Sequence, residues 1–302
     1  MYDARDPKTV GNYSDILFGG MVLGVVALAF LVGWGGPKVV ASFTGGGDKP
    51  ALQASATPAR ELGSLGEVFS DKRGRAYLGK LKTLDASAFA DLERTIAATP
   101  KDEAAQRLAL FMHAQTLTQK NARTLAKADV KYFDQSLDVL NDSLKRAASR
   151  GARMCKGSFY EQFADGDFAR AMGTVQSWLG SDALYDVAMD LNLITLNALE
   201  DGRTNPKSYG RLTNSDEQAL QSVMFSLMGD KQFMSLMQAA QSGADEKAIL
   251  RRVNICSMGS SLIDAFDKLP NETKGRLWAQ TMRDSGKGLG QFGNSFGGFG
   301  GL

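Results

Sequence analysis

The sequence predicts an all-α protein: an irregular multi-helix bundle that follows a single N-terminal transmembrane helix and a flexible linker. Three observations carry that expectation. Between about Gly63 and Asp284 nearly every segment repeats its apolar residues three or four apart. No run in the chain sustains period-two alternation with β-branched enrichment, so no sheet is expected. And Ile16 to Pro37 carries no charge at all, with Leu, Val, Ala, Phe and Met dominating up to Trp34.

Residues 1–15 are a short mixed-charge segment holding Asp3, Arg5, Asp6, Lys8 and Asp15. The apolar run over 16–37 then has the length, roughly 20 residues, that a helix needs to cross the hydrocarbon core. Trp34 stands where an interfacial aromatic belongs, and Gly35-Gly36-Pro37 ends the helix. A cleaved signal peptide is the rival reading, with Val39 and Ala41 as the small residues before the cut. The apolar run exceeds the usual signal core of about 7–15 residues, which favours an uncleaved anchor. Gly20 and Gly24, with Ala29 and Gly33 after them, have the small-xxx-small spacing that lets two membrane helices pack. Self-association through the span is therefore one expectation; the plainer one is that glycine is common in membrane helices.

Basic residues are balanced across the span, with Arg5 and Lys8 before it and Lys38 and Lys49 after it, so their count does not set the orientation. The cysteines speak to it instead. Cys155 and Cys256 are the only two, and an even pair beyond a membrane segment suits a disulfide in an oxidising compartment. The alternative is two buried free thiols in a cytosolic domain. With the disulfide, the expected placement is a bacterial inner membrane, single-pass, with the body in the periplasm.

Residues 38–62 read as a flexible linker rich in Gly, Ala, Ser, Thr and Pro. The helical body, 63–284, follows. Its clearest stripe is Val130, Phe133, Leu137, Leu140, Leu144; a second runs through Leu184, Val187, Ala188, Leu191, Ile194 and Ala198. Thr99 reads as an N-cap with Pro100 at the first helical position, and Ser215 with Gln218 as a capping box for a helix running through Met228. Gly151, Gly180, Gly202 and Gly243 read as helix ends, and Pro270 as a break between two helices. The helix around Cys256 is expected to run from Asp245 to Lys268. Asp201–Thr213 is the longest internal break.

Residues 285–302 form a Gly/Phe-rich tail, expected to be disordered, with Phe292, Phe296 and Phe299 available to dock on a partner. Its composition resembles the linker of J-domain chaperones, but the His-Pro-Asp motif of that family is missing and the resemblance implies nothing further.

Chemistry is scarce. Hydrophobic residues at 43% and charged ones at 23% fit a globular chain, and a net charge of +2 gives no reason to expect nucleic acid. His113 is the single histidine, which rules out paired-histidine zinc sites. No metal site, phosphate-binding glycine loop or other cofactor motif is expected. Glu161 and Asp165 lie four apart and would share a helix face, the pair a cell-wall-acting hydrolase would need; acids at that spacing are also ordinary on solvated faces. Met224, Phe225, Met228, Phe233, Met234 and Met237 cluster around Gly229. Methionine fills irregular cores and also lines adaptable grooves, so Met224, Met228 and Met234 are candidates for a partner surface. The expectation is a membrane-anchored helical scaffold or interaction protein of the cell envelope, as in a secretion or surface assembly, with a hydrolase acting through Glu161 as the alternative.

Overall fold

The computed structural model describes residues 57–160, 182–235, 248 and 251–285. Among them the fold is all-helical, with one isolated antiparallel bridge, Lys156 to Asn254, as its sole β feature. A 3₁₀ turn, Ala59–Leu62, leads into α1 (Ser64–Val68), α2 (Lys72–Leu84), α3 (Ala86–Ala98), α4 (Glu103–Lys120) and the single turn α5 (Ala122–Leu125). Next come α6 (Lys131–Ser149), two 3₁₀ turns at Arg153–Cys155 and Gly157–Tyr160, and α7 (Asp182–Thr204). The chain continues through α8 (Asn214–Leu227), α9 (Ile255–Phe266) and α10 (Asn271–Ser285). None of these helices is long and apolar enough to cross a membrane; the expected span, Ile16–Trp34 with Gly20 and Gly24, lies outside the described residues.

The helix α7 organises the rest because it is apolar around most of its circumference, as a helix enclosed by others must be. Tyr185, Met189 and Leu196 join the core built by α1 to α4, where Leu62, Leu65, Leu78, Leu81, Leu92 and Leu110 are fully buried. Leu184 and Val187 join a second core with Leu137, Leu140 and Leu144 of α6 and Ile255 and Ile263 of α9. Ala198 and Leu199 meet Leu125, Ala128 and Trp278 in a third. The expected stripes of α6 and α7 are thus buried, but α7 buries the opposite faces as well.

Side-chain caps fix five of the ten helix starts among the described residues. Asp71 accepts from the Gly74 N–H, Asp85 from Ala88, Asp102 from Ala105 and Asn254 from Ser257. The cap of α4 is therefore Asp102, not Thr99, which instead ends α3 with its hydroxyl donated to the Thr95 carbonyl. Likewise the capping box of α8 is Thr213 with Asp216, two residues ahead of the expected pair, and α8 stops at Leu227 with Met228 as its C-cap. A carboxylate binds a helical N–H more strongly than a hydroxyl, which accounts for the shift to Asp102; in α8 the cap is still a hydroxyl, and its reciprocal partner at the third helical position is the Asp216 carboxylate. The helix of Cys256 begins at Ile255, not Asp245, because Asn254 caps it there.

Gly151 ends α6 in the left-handed region, φ 63°, as expected. Gly202 does not end a helix: α7 runs on to Thr204. Its glycine answers to packing, since a Cβ there would lie 2.3 Å from the Thr124 carbonyl oxygen of α5. Gly180 and Gly243 lie outside the described residues. The long break after α7 is tied down rather than loose. The Lys207 N–H donates to the Lys127 carbonyl (2.7 Å), and the Tyr209 hydroxyl accepts from the Val130 N–H (2.9 Å).

Candidate functional site

Three places hold the residues that the sequence marks out. The first is the cysteine pair. Cys155 and Cys256 form a disulfide with Cα atoms 4.8 Å apart, inside the range a bridge requires, across a separation of 101 residues. Both are buried among Met154, Leu144, Val253 and Ile263. The backbone prepares this meeting. After Gly151 reverses the chain, the 3₁₀ turn Arg153–Cys155 brings the sulfur back toward α6, and the Gly157 N–H donates to the Val253 carbonyl at 3.0 Å. The antiparallel bridge of Lys156 with Asn254 flanks the bond, one residue after Cys155 and two before Cys256. α9 then packs along α6, where the Asn141 amide and the Lys145 ammonium both donate to Asp264 (2.6 and 3.0 Å).

The second place is the Met/Phe cluster, which the fold splits. Leu220, Val223 and Leu227 turn inward from α8, and Phe233, 2% exposed, joins them against Leu262, Ala265, Leu269 and Leu277. Phe225 and Met228, three apart on the other face, remain 66% and 46% exposed. Met234 is half-buried, and Met224 belongs to α8. Asp230 braces the turn: it accepts from the backbone of Gln232 and Phe233 and from the Ser261 hydroxyl. Burial works against that carboxylate, but these three donors outweigh it and hold its pKa below the ordinary value. The exposed pair therefore stands on a rigid corner. Met237 and the tail candidates Phe292, Phe296 and Phe299 lie outside the described residues.

The third is His113. It lies on α4 in a groove of about 440 Å³ shared with Asp85, Asp91 and the half-exposed Met112. Its Nδ1 is buried without a hydrogen bond, and burial pushes its pKa down, so the neutral ring is favoured. A free thiol or a metal-binding group of three or more ligands is absent among the described residues. The carboxylates Glu161 and Asp165 lie outside them.

Sequence reasoning missed the strongest polar cluster. Asp216, 1% exposed, accepts from the Thr213 N–H and hydroxyl, from Thr273 Oγ1 (2.6 Å), and from Arg276 Nε and Nη2 (2.7 and 3.0 Å). Burial alone would raise its pKa, but the bonds from Arg276, Thr273 and Thr213 carry it well below the usual carboxylate range. Every acceptor direction is used, so the cluster clamps α8 to α10 and has no free lone pair to offer a substrate. The Thr213-Asn214-Ser215-Asp216 spacing carried the signal, though not the partners sixty residues on.

No family model matches the chain, and comparisons with characterised proteins and with solved structures return no match either.

Proposed function

We propose that this chain is a membrane-anchored helical scaffold of a bacterial cell envelope, with its body in the periplasm, where it binds another envelope protein. The observation that carries the reading is the Cys155–Cys256 disulfide. Such bonds persist in oxidising compartments and are rare where glutathione and thioredoxin keep thiols reduced. Joined to the charge-free run Ile16–Pro37 and the Gly/Ala/Ser/Pro linker after it, the bond argues for a body held beyond the membrane on a tether. Exposed Phe225 and Met228 support the interaction half of the reading, because a large aromatic and a thioether on one rigid corner suit a partner's apolar side chain.

Fractionation tests the reading directly. The protein should stay with membranes through high salt and alkaline carbonate and need detergent for release. An added protease should digest its body in spheroplasts but not in intact cells. A mature chain beginning at Ser42 would remove the anchor, and thiol labelling of both cysteines under non-reducing, denaturing conditions would remove the periplasmic placement.

A further inference from the structure

The fold gathers the basic residues around α5 about a cleft. Its volume is about 1030 Å³, and it lies between the end of α4, α5, the connection after α7 and the end of α10. Lys120, Arg123, Lys127, Lys207 and Arg283 line it, and no aspartate or glutamate does. Lys207 makes a long ion pair with Asp129, 3.9 Å from its ammonium. Lys120, Arg123 and Lys127 make no ion pair among the described residues. We infer that this cleft is a binding site for a phosphate ester bearing at least two negative charges.

The concavity is built, not incidental. Ala122 and Ala126, small and buried, form its floor, so the flanking long side chains rise around a depression. The Trp278 indole N–H donates to the Leu125 carbonyl (2.7 Å) and locks α5 to α10 beneath that floor. The facing wall is held by the Lys207 N–H to the Lys127 carbonyl (2.7 Å), which sets two lysines side by side despite their repulsion. Tyr209 closes the end. Its hydroxyl accepts from Val130, and its ring lies against Gly275, where a Cβ would come within 2.2 Å of Cε1. Arg283 reaches the same wall and donates to the carbonyls of Tyr209 and Gly210 at 3.5 and 3.3 Å.

A cleft lined by one sign of charge with low-dielectric walls focuses its field and concentrates counter-ions. Gathering these cations costs self-repulsion that an anion relieves. A single carboxylate offers one charge to several cations, whereas a phosphate monoester carries roughly −1.5 to −2 and three acceptor oxygens. The volume exceeds what inorganic phosphate fills and is at the upper end of small-ligand pockets, about 300–1,000 Å³. It leaves room for the organic part of the ester beside Pro206 and the Tyr209 ring. The ester could be a lipid headgroup or a soluble sugar phosphate; both present the same chemistry.

The test uses the full chain in a neutral detergent with two probes: fructose 1,6-bisphosphate by calorimetry, and phosphatidylcholine vesicles with and without phosphatidic acid by co-sedimentation. Saturable binding of at least one probe is expected, weakened about tenfold or more in Arg123→Glu/Lys127→Glu, as the loss of charge-assisted bonds implies. Preference for phosphatidic acid vesicles would assign the lipid source, and preference for the bisphosphate the soluble one. Lys101→Glu should change nothing, since the length of α4 separates it from Lys120 by about 27 Å. If the double variant loses its unfolding transition, Arg123→Gln alone should still weaken binding severalfold. Absence of saturable binding to both probes would overturn the proposal. So would an equal loss in Lys101→Glu, or tighter binding of hexaglutamate than of either phosphate probe.

Discussion

Helices α2 to α4 and the α6–α9 pair both lean on α7, yet they are brought there by different means. In the first group neighbours in space are neighbours in sequence. Asp85 alone joins α2 to α3: its N–H donates to Leu81 (2.8 Å) while its carboxylate accepts from Ala88 (3.0 Å), serving as C-cap and N-cap together. The Ala88 N–H, with the Ser87 hydroxyl next, holds that carboxylate below its ordinary pKa. Ion pairs of Arg73 with Asp186 and Asp190, at 2.9 Å each, then register α2 on α7. In the second group α6 must find α9 across about a hundred residues, and closing so long a loop carries an entropic cost that packing must overcome. There the chain adds a covalent bond. Short-range order rests on caps and apolar stripes, whereas the long-range contact rests on chemistry that depends on the compartment.

The largest expected effect breaks that contrast at the sulfurs. Replacing both Cys155 and Cys256 by alanine should lower the unfolding free energy by up to roughly 4–5 kcal/mol in the chain-entropy model, measured by denaturant titration. Hydrogen exchange should show the loss concentrated in α6, α9 and the 253–257 segment, with α2 and α3 protected for longer. An equal loss of protection in both groups would mean that the two cores unfold as one unit and that the contrast is one of assembly alone.

Next is the clamp of α8 on α10, which resembles the second group in linking distant segments but does so without a covalent bond. Asp216→Ala removes a buried carboxylate, leaves Arg276, Thr273 and the Thr213 N–H without their acceptor, and should cost about 3 kcal/mol. The sign with pH follows from the lowered pKa of Asp216. Its contribution is complete above the unfolded-state value near 4 and is lost as pH falls through the lower folded-state value. The wild type should therefore lose stability in acid more steeply than Asp216→Ala, as a pair of thermal melts at neutral pH and near pH 3 would read.

Local order was readable from the sequence to the extent that it depends on local residues. The stripes of α6 and α7, the break at Pro270 and the reversal at Gly151 follow from spacing and from single-residue conformational preference. The pairing of Cys155 with Cys256 was also within reach, because there are no other cysteines to choose from. What stayed hidden depends on partners far along the chain. That Asp216 would meet Arg276, that Phe225 would face outward while Phe233 faces inward, and that Lys127 would lie beside Lys207 are set by how helices cross, which no window of one sequence contains. The cap shift to Asp102 is a milder case: Thr99 and Asp102 competed within three residues, and the charged acceptor won.

The two glycines that end α6 and thread α7 give the smallest effects and the finest distinction. Both read as helix stops, but only Gly151 has positive φ, and around it no atom lies within 4 Å of a Cβ. Gly151→Ala should therefore cost only the left-handed conformational penalty, about 1 kcal/mol, and leave every neighbour in place. Gly202 is helical and buried, so alanine there would gain about 1 kcal/mol in helix propensity. Against that gain stands the Thr124 carbonyl, 2.3 Å from the new methyl and part of the α5 backbone, which cannot yield as a flexible side chain would. Overpacking of this kind costs about 1–3 kcal/mol. A net loss of up to about 2 kcal/mol is expected for Gly202→Ala, with the Trp278 environment shifted because its indole bonds to Leu125, the last residue of the displaced turn. Tryptophan fluorescence should thus change in Gly202→Ala and stay constant in Gly151→Ala. A stabilised Gly202→Ala with unchanged fluorescence would show that α5 slides freely on α7 and that the glycine serves neither packing nor termination.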